Sequence, residues 1–255
     1  MLTDVPLRDP GTHDELDRPR PVNRWPSWWW QRVEISANTH RSFGHTAPRM
    51  RGWSHMALVF VWPVLVVLLL LRADTPAGIA GGLVFGLGMQ AMFTLSALTH
   101  LRRWDVWTTE AMFRLDYTGI FIAIAGSITP FALLALDGWL STAVLAGMWA
   151  ITIVGIGFAL WPTYTPVGFG STVFIALGAL TAPLLPWAWN RMGPTGVALL
   201  LAGGAVYLAG AVMLAHQWPQ VKPRVFGYHE VWHAMVVLAA LVHYVMVRSY
   251  LLPLG

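Results

Sequence analysis

Long, continuously apolar runs organise this sequence, and polar or chain-breaking residues punctuate them. Seven such runs stand at Gly52–Leu71, Pro76–His100, Met112–Leu136, Trp139–Trp161, Val167–Trp189, Thr195–His216 and Phe226–Tyr250. Each is near the roughly 20 residues that a helix needs to cross a bilayer. The separators carry breakers or charge: Arg72-Ala73-Asp74-Thr75, Arg102–Glu110, Asp137-Gly138, Pro162–Pro166, Asn190–Pro194 and Gln217–Arg224. The pattern predicts an all-α bundle of seven membrane-spanning helices over residues 48–255. The runs do not alternate with period two, which excludes a β-barrel. Glycines in Gly78–Gly88 and at Gly203-Gly204 predict close helix contacts.

Residues 1–47 form a polar arm ahead of this bundle. Its first 24 residues are rich in Pro, Asp and Arg and are expected to be disordered. Then comes Trp25-Pro26-Ser27-Trp28-Trp29-Trp30 between Arg24 and Arg32. That composition suits a segment lying in the headgroup layer; a loop packed on the bundle is the alternative. The first fifty residues lack the apolar core of a signal peptide, so the N-terminus is expected to stay where it is made.

Composition narrows the chemistry. The chain is 56% hydrophobic and 11% charged, against roughly 25% charged for a soluble domain. Cysteine is absent, so a transition-metal site must use His, carboxylate or water. The net charge of +4 is small and no basic run resembles a nucleic-acid patch. The positions of the cations set the orientation. Arg41, Arg49, Arg51, Arg102, Arg103, Arg114, Lys222 and Arg224 fall on one side, counting Arg114 in the loop between the second and third runs. Arg72, Arg191 and Arg248 fall on the other. Eight against three predicts a cytoplasmic N-terminus and an external C-terminus.

With that orientation, the second run ends on the cytoplasmic side at His100 and the third begins there with Asp116. The seventh also begins there, with His229 and His233. Two histidines four residues apart share one helix face, with Cβ atoms about 6 Å apart, so both imidazoles can reach one ion. Ionisable groups in lipid are costly and default to function. Three His ligands leave a fourth tetrahedral position for water, the arrangement of a catalytic zinc site. In this arrangement Asp116 holds and deprotonates that water. Ser96, one turn before His100, donates a hydrogen bond to the water or to a substrate oxyanion. Singly, each residue has a plainer explanation: His100 as an interfacial residue beside Arg102, Asp116 as a partner of Arg114. His243 lies some 21 Å deeper than His229 and is expected to be a buried histidine bonded to another helix. His216 is expected at the interface, and His55 has a supporting role beside the ligands as its candidate function. His13, His40 and His45 sit in the polar arm.

His229-Glu230-Val231-Trp232-His233 also fits the H-E-x-x-H pattern of zinc proteases, with Glu230 as general base. No acidic residue follows Glu230, so a third ligand would have to come from upstream.

These residues resemble the haemolysin III branch of the progestin and adipoQ receptor family, which is grouped with the alkaline ceramidases as seven-span membrane metal hydrolases. The resemblance runs through Ser96-Ala-Leu-Thr-His100, Leu115-Asp116-Tyr117-Thr118-Gly119-Ile120 and His229-Glu-Val-Trp-His233. Pro48-Arg-Met-Arg-Gly-Trp-Ser-His55, Ile124-Ala-Gly-Ser-Ile-Thr-Pro130 and Phe226-Gly-Tyr-His229 add to it, and together the matches cover about residues 48–250. Glu34-Ile-Ser-Ala-Asn38-Thr-His40 echoes a further acidic segment of the family only loosely. The resemblance implies zinc ligands at His100, His229 and His233, a water-holding aspartate at Asp116 and a motif serine at Ser96. It implies a multi-pass protein of a bacterial plasma membrane that hydrolyses the amide of a ceramide-like lipid. A sensor or receptor with a structural zinc, and a lytic pore, are the alternatives from other classes.

Overall fold

The structure, a computed structural model, describes residues 26–44, 47–166 and 169–255. The expectations for residues 1–24, including His13, and those for Trp25, His45 and Val167 lie outside the described residues.

The described chain is helical, with no strand among the described residues. Two short helices come first, α1 at Ser27–Arg32 and α2 at Ala37–Gly44. The long ones follow: α3 Trp53–Leu70, α4 Pro76–Leu101, α5 Val106–Ala135 and α6 Gly138–Leu160. Then come α7 Phe169–Ala179, a 3₁₀ turn at Ala182–Leu184, α8 Leu185–Ala215 and α9 Tyr228–Met246. Six helical segments among the described residues are long and apolar enough to cross a membrane, and one of them runs from Phe169 to Ala215.

That segment is not one rod. A straight helix of its 47 residues would be about 70 Å long, more than twice the roughly 30 Å hydrocarbon core. Gly193 breaks it with φ 67° and ψ −178°, backbone open only to glycine, and Pro194 follows, where helix cannot continue backwards. Beyond the break, Gly196 sits against Tyr250, Gly203 against His243 and Gly210 against Trp232. The partner numbers fall as the α8 numbers rise, so this arm runs antiparallel to α9. Arg191, just before the break, meets Asp137 at 3.3 Å at the α5–α6 turn.

Helix α5 begins earlier than its apolar run implies. Asp105 caps it, accepting from the backbone N–H of Thr108 at 3.0 Å and from its hydroxyl at 2.8 Å, so Val106–Met112 is helix as well. Arg114 is therefore not a loop cation, as the charge pattern had it; it is 3% exposed, and the count of cations becomes seven against three. Only close backbones bring α4 and α5 together. A Cβ on Gly88 would lie 3.0 Å from the Ile122 carbonyl, and one on Gly126 3.0 Å from that of Val84. This glycine seam sets His100, at the end of α4, beside Asp116 in α5.

The core is aromatic at its centre. Trp62 is fully buried among Phe85, Phe93 and Tyr244, at centroid distances of 5.8, 5.3 and 5.9 Å. Its indole N–H donates to the Gly86 carbonyl at 3.0 Å, which satisfies a polar group that would be costly unpaired. Outward, Phe60, Val64, Ile153 and Phe158 are more than half exposed, the pattern of helices solvated by lipid.

The arm packs against this bundle. Trp29 and Val33 are buried with Val106, Trp107 and Ala111, so Trp29 follows the packed alternative rather than the headgroup one, while Trp28 stays exposed.

Candidate metal centre

Three elements deliver the candidate ligands. His100 comes from the last turn of α4, Asp116 from the third turn of α5, and His229 and His233 from the first two turns of α9. The structure brings the three histidines together: one ring nitrogen from each lies within 4.8 Å of the others. His100 Nε2 and His229 Nε2 are 3.3 Å apart. A tetrahedral ion with bonds of 2.0–2.1 Å holds its nitrogens about 3.4 Å apart, which the His100–His229 pair matches, and the three histidines together could hold a metal ion. Imidazole donors also suit a borderline divalent ion of that kind. His233 is 2% exposed, and its ring centroid lies 4.9 Å from that of His100 and 4.7 Å from that of His229.

Asp116 faces this cluster. Its Oδ2 lies 3.3 Å from His100 Nε2, and it does not pair with Arg114. That guanidinium instead bridges to Glu110 at 2.7 Å and donates to the carbonyls of Trp161, Thr163, Ala159 and Glu34. Glu110 in turn accepts from the Ser36 N–H at 3.0 Å and from the Thr39 hydroxyl. The buried pair thus clamps the arm and the 161–163 turn to α5. Sequence reasoning passed over this clamp, although an acid and a base four apart in an apolar helix were its visible signal.

Glu230 is turned away from the histidines. Its Oε2 accepts from the Gly227 N–H at 2.7 Å and its Oε1 from Arg51 Nε. Both oxygens are spent on the start of α9 and on the segment before α3, which corrects the protease alternative with Glu230 as base. The contact pins α9 to the chain before α3, where Met50 N–H also donates to the Val225 carbonyl at 3.0 Å.

His55 is 3% exposed and stacks on His233, with Phe93 edge-on at 5.3 Å on it as well. Neither of its ring nitrogens has a hydrogen-bond partner among the described residues, and neither does Nδ1 of His233. His243 is bonded to the Leu200 carbonyl at 3.3 Å, as expected from its depth, and His216 is exposed.

A cavity of about 1140 Å³ opens beside the cluster. Ser96, Asp116, His55, His229 and His233 line one end. Ile128, Leu185, Leu201, Val236 and Met246 line its apolar remainder, and His243 is among the wall residues. Ser96 is 3% exposed. Asn38 of α2 reaches the same end, donating to the hydroxyl of Tyr117 next to Asp116.

Comparison with known proteins agrees with this architecture. A family model described as Haemolysin-III related matches residues 43–244. The chain is similar to Hemolysin-3 of Bacillus cereus, with 28% identity over 194 residues, covering 75% of this chain and 85% of that one. It is similar to the Hemolysin-3 homolog of Bacillus subtilis (strain 168), with 25% identity over 177 residues, covering 69% and 80%. It is also similar to the Heptahelical transmembrane protein ADIPOR2 of Oryza sativa subsp. japonica, with 29% identity over 182 residues, covering 65% and 79%.

Proposed function

The chain belongs to the haemolysin-III related family, within the progestin and adipoQ receptor group, and from that premise we propose that it is a zinc-dependent hydrolase of lipid amides embedded in the bacterial plasma membrane. One observation carries the proposal. Three imidazoles and one carboxylate converge at the polar end of a long apolar cavity.

His100, His229 and His233 would hold a zinc ion, which would supply Lewis acidity there to acidify water and polarise a carbonyl. Asp116 holds a water by accepting its hydrogen bond, takes its proton as the oxygen attacks the amide carbon, and passes that proton to the amide nitrogen as the C–N bond breaks and the acid and amine separate. Ser96 donates to the carbonyl oxygen as charge builds there. The acyl chain lies along α9: His229 and His243 both line the cavity, and fourteen residues of helix separate them by about 21 Å. The clamp of Glu110 and Arg114 holds the arm over the polar end, which keeps the reacting groups away from bulk water.

The topology belongs to the same proposal: seven crossings, with the N-terminus cytoplasmic and the C-terminus outside. Parity supports it. His100 and Asp116 meet His229, so an even number of crossings separates the start of α5 from the start of α9. Helices α5 and α6 and the two arms on either side of Gly193 make four. The excess of Lys and Arg on the site's side supports the orientation.

Lipid mass spectrometry of the purified protein, with and without chelator, against ceramides and other acyl amides tests the activity. Zinc-dependent release of free fatty acid is the expected result. No release from any amide would overturn the hydrolase. A structural metal would show instead as a chelator-induced fall in thermal stability without turnover, and a lytic role, the property in the Bacillus names, as lysis that survives chelation.

A further inference from the structure

The polar end of the cavity carries charge that amide hydrolysis does not use. Three separate segments furnish it: Asn38 and Arg41 from α2, Arg51 from before α3, and Gln220 and Arg224 from the 217–224 loop. Asp116 is the single carboxylate among the cavity's wall residues, and it faces His100. Arg51 is neutralised by Glu230. Arg41 and Arg224 are exposed and have no acidic partner within ion-pair distance among the described residues.

The inside-positive charge bias accounts for cations on this side of the membrane, but not for their place in the cavity wall. Arg49, Arg102, Arg103 and Lys222 lie on the same side, and none of them lines the cavity. Guanidinium groups flanked by side-chain amides are the donor set that carboxylates and phosphates take, through paired charge-assisted hydrogen bonds. A neutral amide headgroup has no anion to offer them. Ile128, Leu185, Leu201, Val236 and Met246 line the same cavity, an apolar wall that suits a fatty chain.

We infer that the amide lipid taken by this site carries an anionic headgroup, a carboxylate or a phosphate on the amine side of the amide, held by Arg41 and Arg224. This rests on the acyl-amide site proposed above and specifies its substrate. The chain would lie down the apolar cavity, the amide beside Asp116 and Ser96, and the anion at the mouth. Arg41 is one turn from Asn38, whose bond to Tyr117 fixes α2 over that mouth.

The test uses full-length protein in phosphatidylcholine nanodiscs and three radiolabelled probes with one common acyl chain. These are N-palmitoylglycine, N-palmitoyl-O-phosphoethanolamine and the neutral N-palmitoylethanolamine. Bound probe and released palmitate are read from the same samples. At least one anionic probe should bind at least about tenfold more tightly than the neutral one, and the tighter of the two anions identifies the headgroup chemistry. The Arg41→Gln/Arg224→Gln variant should lose that preference while keeping its affinity for the neutral probe and its zinc. The Arg102→Gln/Arg103→Gln variant removes the same charge from the same membrane face and should keep the preference. Equal binding of all three probes by the unmodified protein would overturn the inference, and so would an equal loss in both double variants, which assigns the effect to surface charge. Anionic preference without palmitate release would overturn the hydrolase and leave the headgroup site standing. Hydrolysis of all three probes with equal affinity would do the reverse.

Discussion

His55 and His233 lie face to face, with ring centroids 4.1 Å apart and planes within 2° of parallel. A metal-binding histidine usually has its second nitrogen held by a hydrogen bond, which fixes the ring. Nδ1 of His233 has no such partner among the described residues. The stack on His55 supplies the orientation in its place, with Phe93 behind it.

His55→Ala should therefore weaken zinc retention by about 10–100-fold, the range for lost supporting contacts. His55→Phe, which keeps a flat ring in the stack, should restore most of it. Zinc per protein after dialysis against graded chelator decides the matter, and equal retention in the Ala variant and the parent would remove the role.

His100→Ala and His233→Ala should each reduce bound zinc from about one equivalent to a small fraction of it, because three protein ligands define the site. Elemental analysis of purified protein is the readout. Full occupancy in either variant would strike that residue from the ligand set.

Asp116→Asn keeps the shape of the side chain and removes the acceptor of the proton. It should retain zinc and lose hydrolysis by roughly 10²–10⁴-fold, the usual contribution of a positioned base. An active variant would assign the proton to another group.

Glu230 separates two mechanisms. A general base is lost with Glu230→Gln, whereas a carboxylate that only fastens α9 to Arg51 and Gly227 is partly replaced by the amide. Glu230→Gln should keep hydrolysis within about tenfold. Glu230→Ala leaves Arg51 without its partner at a largely buried position, a change that costs about 3 kcal/mol. At the size of this chain that is a fall on the order of 10 °C in melting temperature. Loss of all turnover in the Gln variant, with zinc intact, would return Glu230 to the chemistry.

A reporter fused after Gly255 should read as extracellular. A cytoplasmic signal would overturn the orientation drawn from the charge bias and with it the placing of the site at the inner leaflet, because α9 carries the chain from the site's side to the opposite one.

The sequence alone determined where the apolar runs lie, because span length and hydropathy are properties of contiguous residues. The helix ends drawn from it differ from those of α3, α4 and α6 by a residue or less. It also determined that His229 and His233 share a face, since helical pitch is local. Helix count with charge bias was enough to bring His100 to their depth. Depth, however, is one coordinate of three. Which side chain turns toward which depends on how closely two helices approach and how each is rotated, and the Gly88–Gly126 seam and the break at Gly193 set those. Tertiary structure alone decided that Asp116 faces His100 while Arg114 takes Glu110, that Glu230 fastens a helix end, and that His55 lies flat on His233. These are partnerships between residues far apart in the chain, and no one-dimensional period records them.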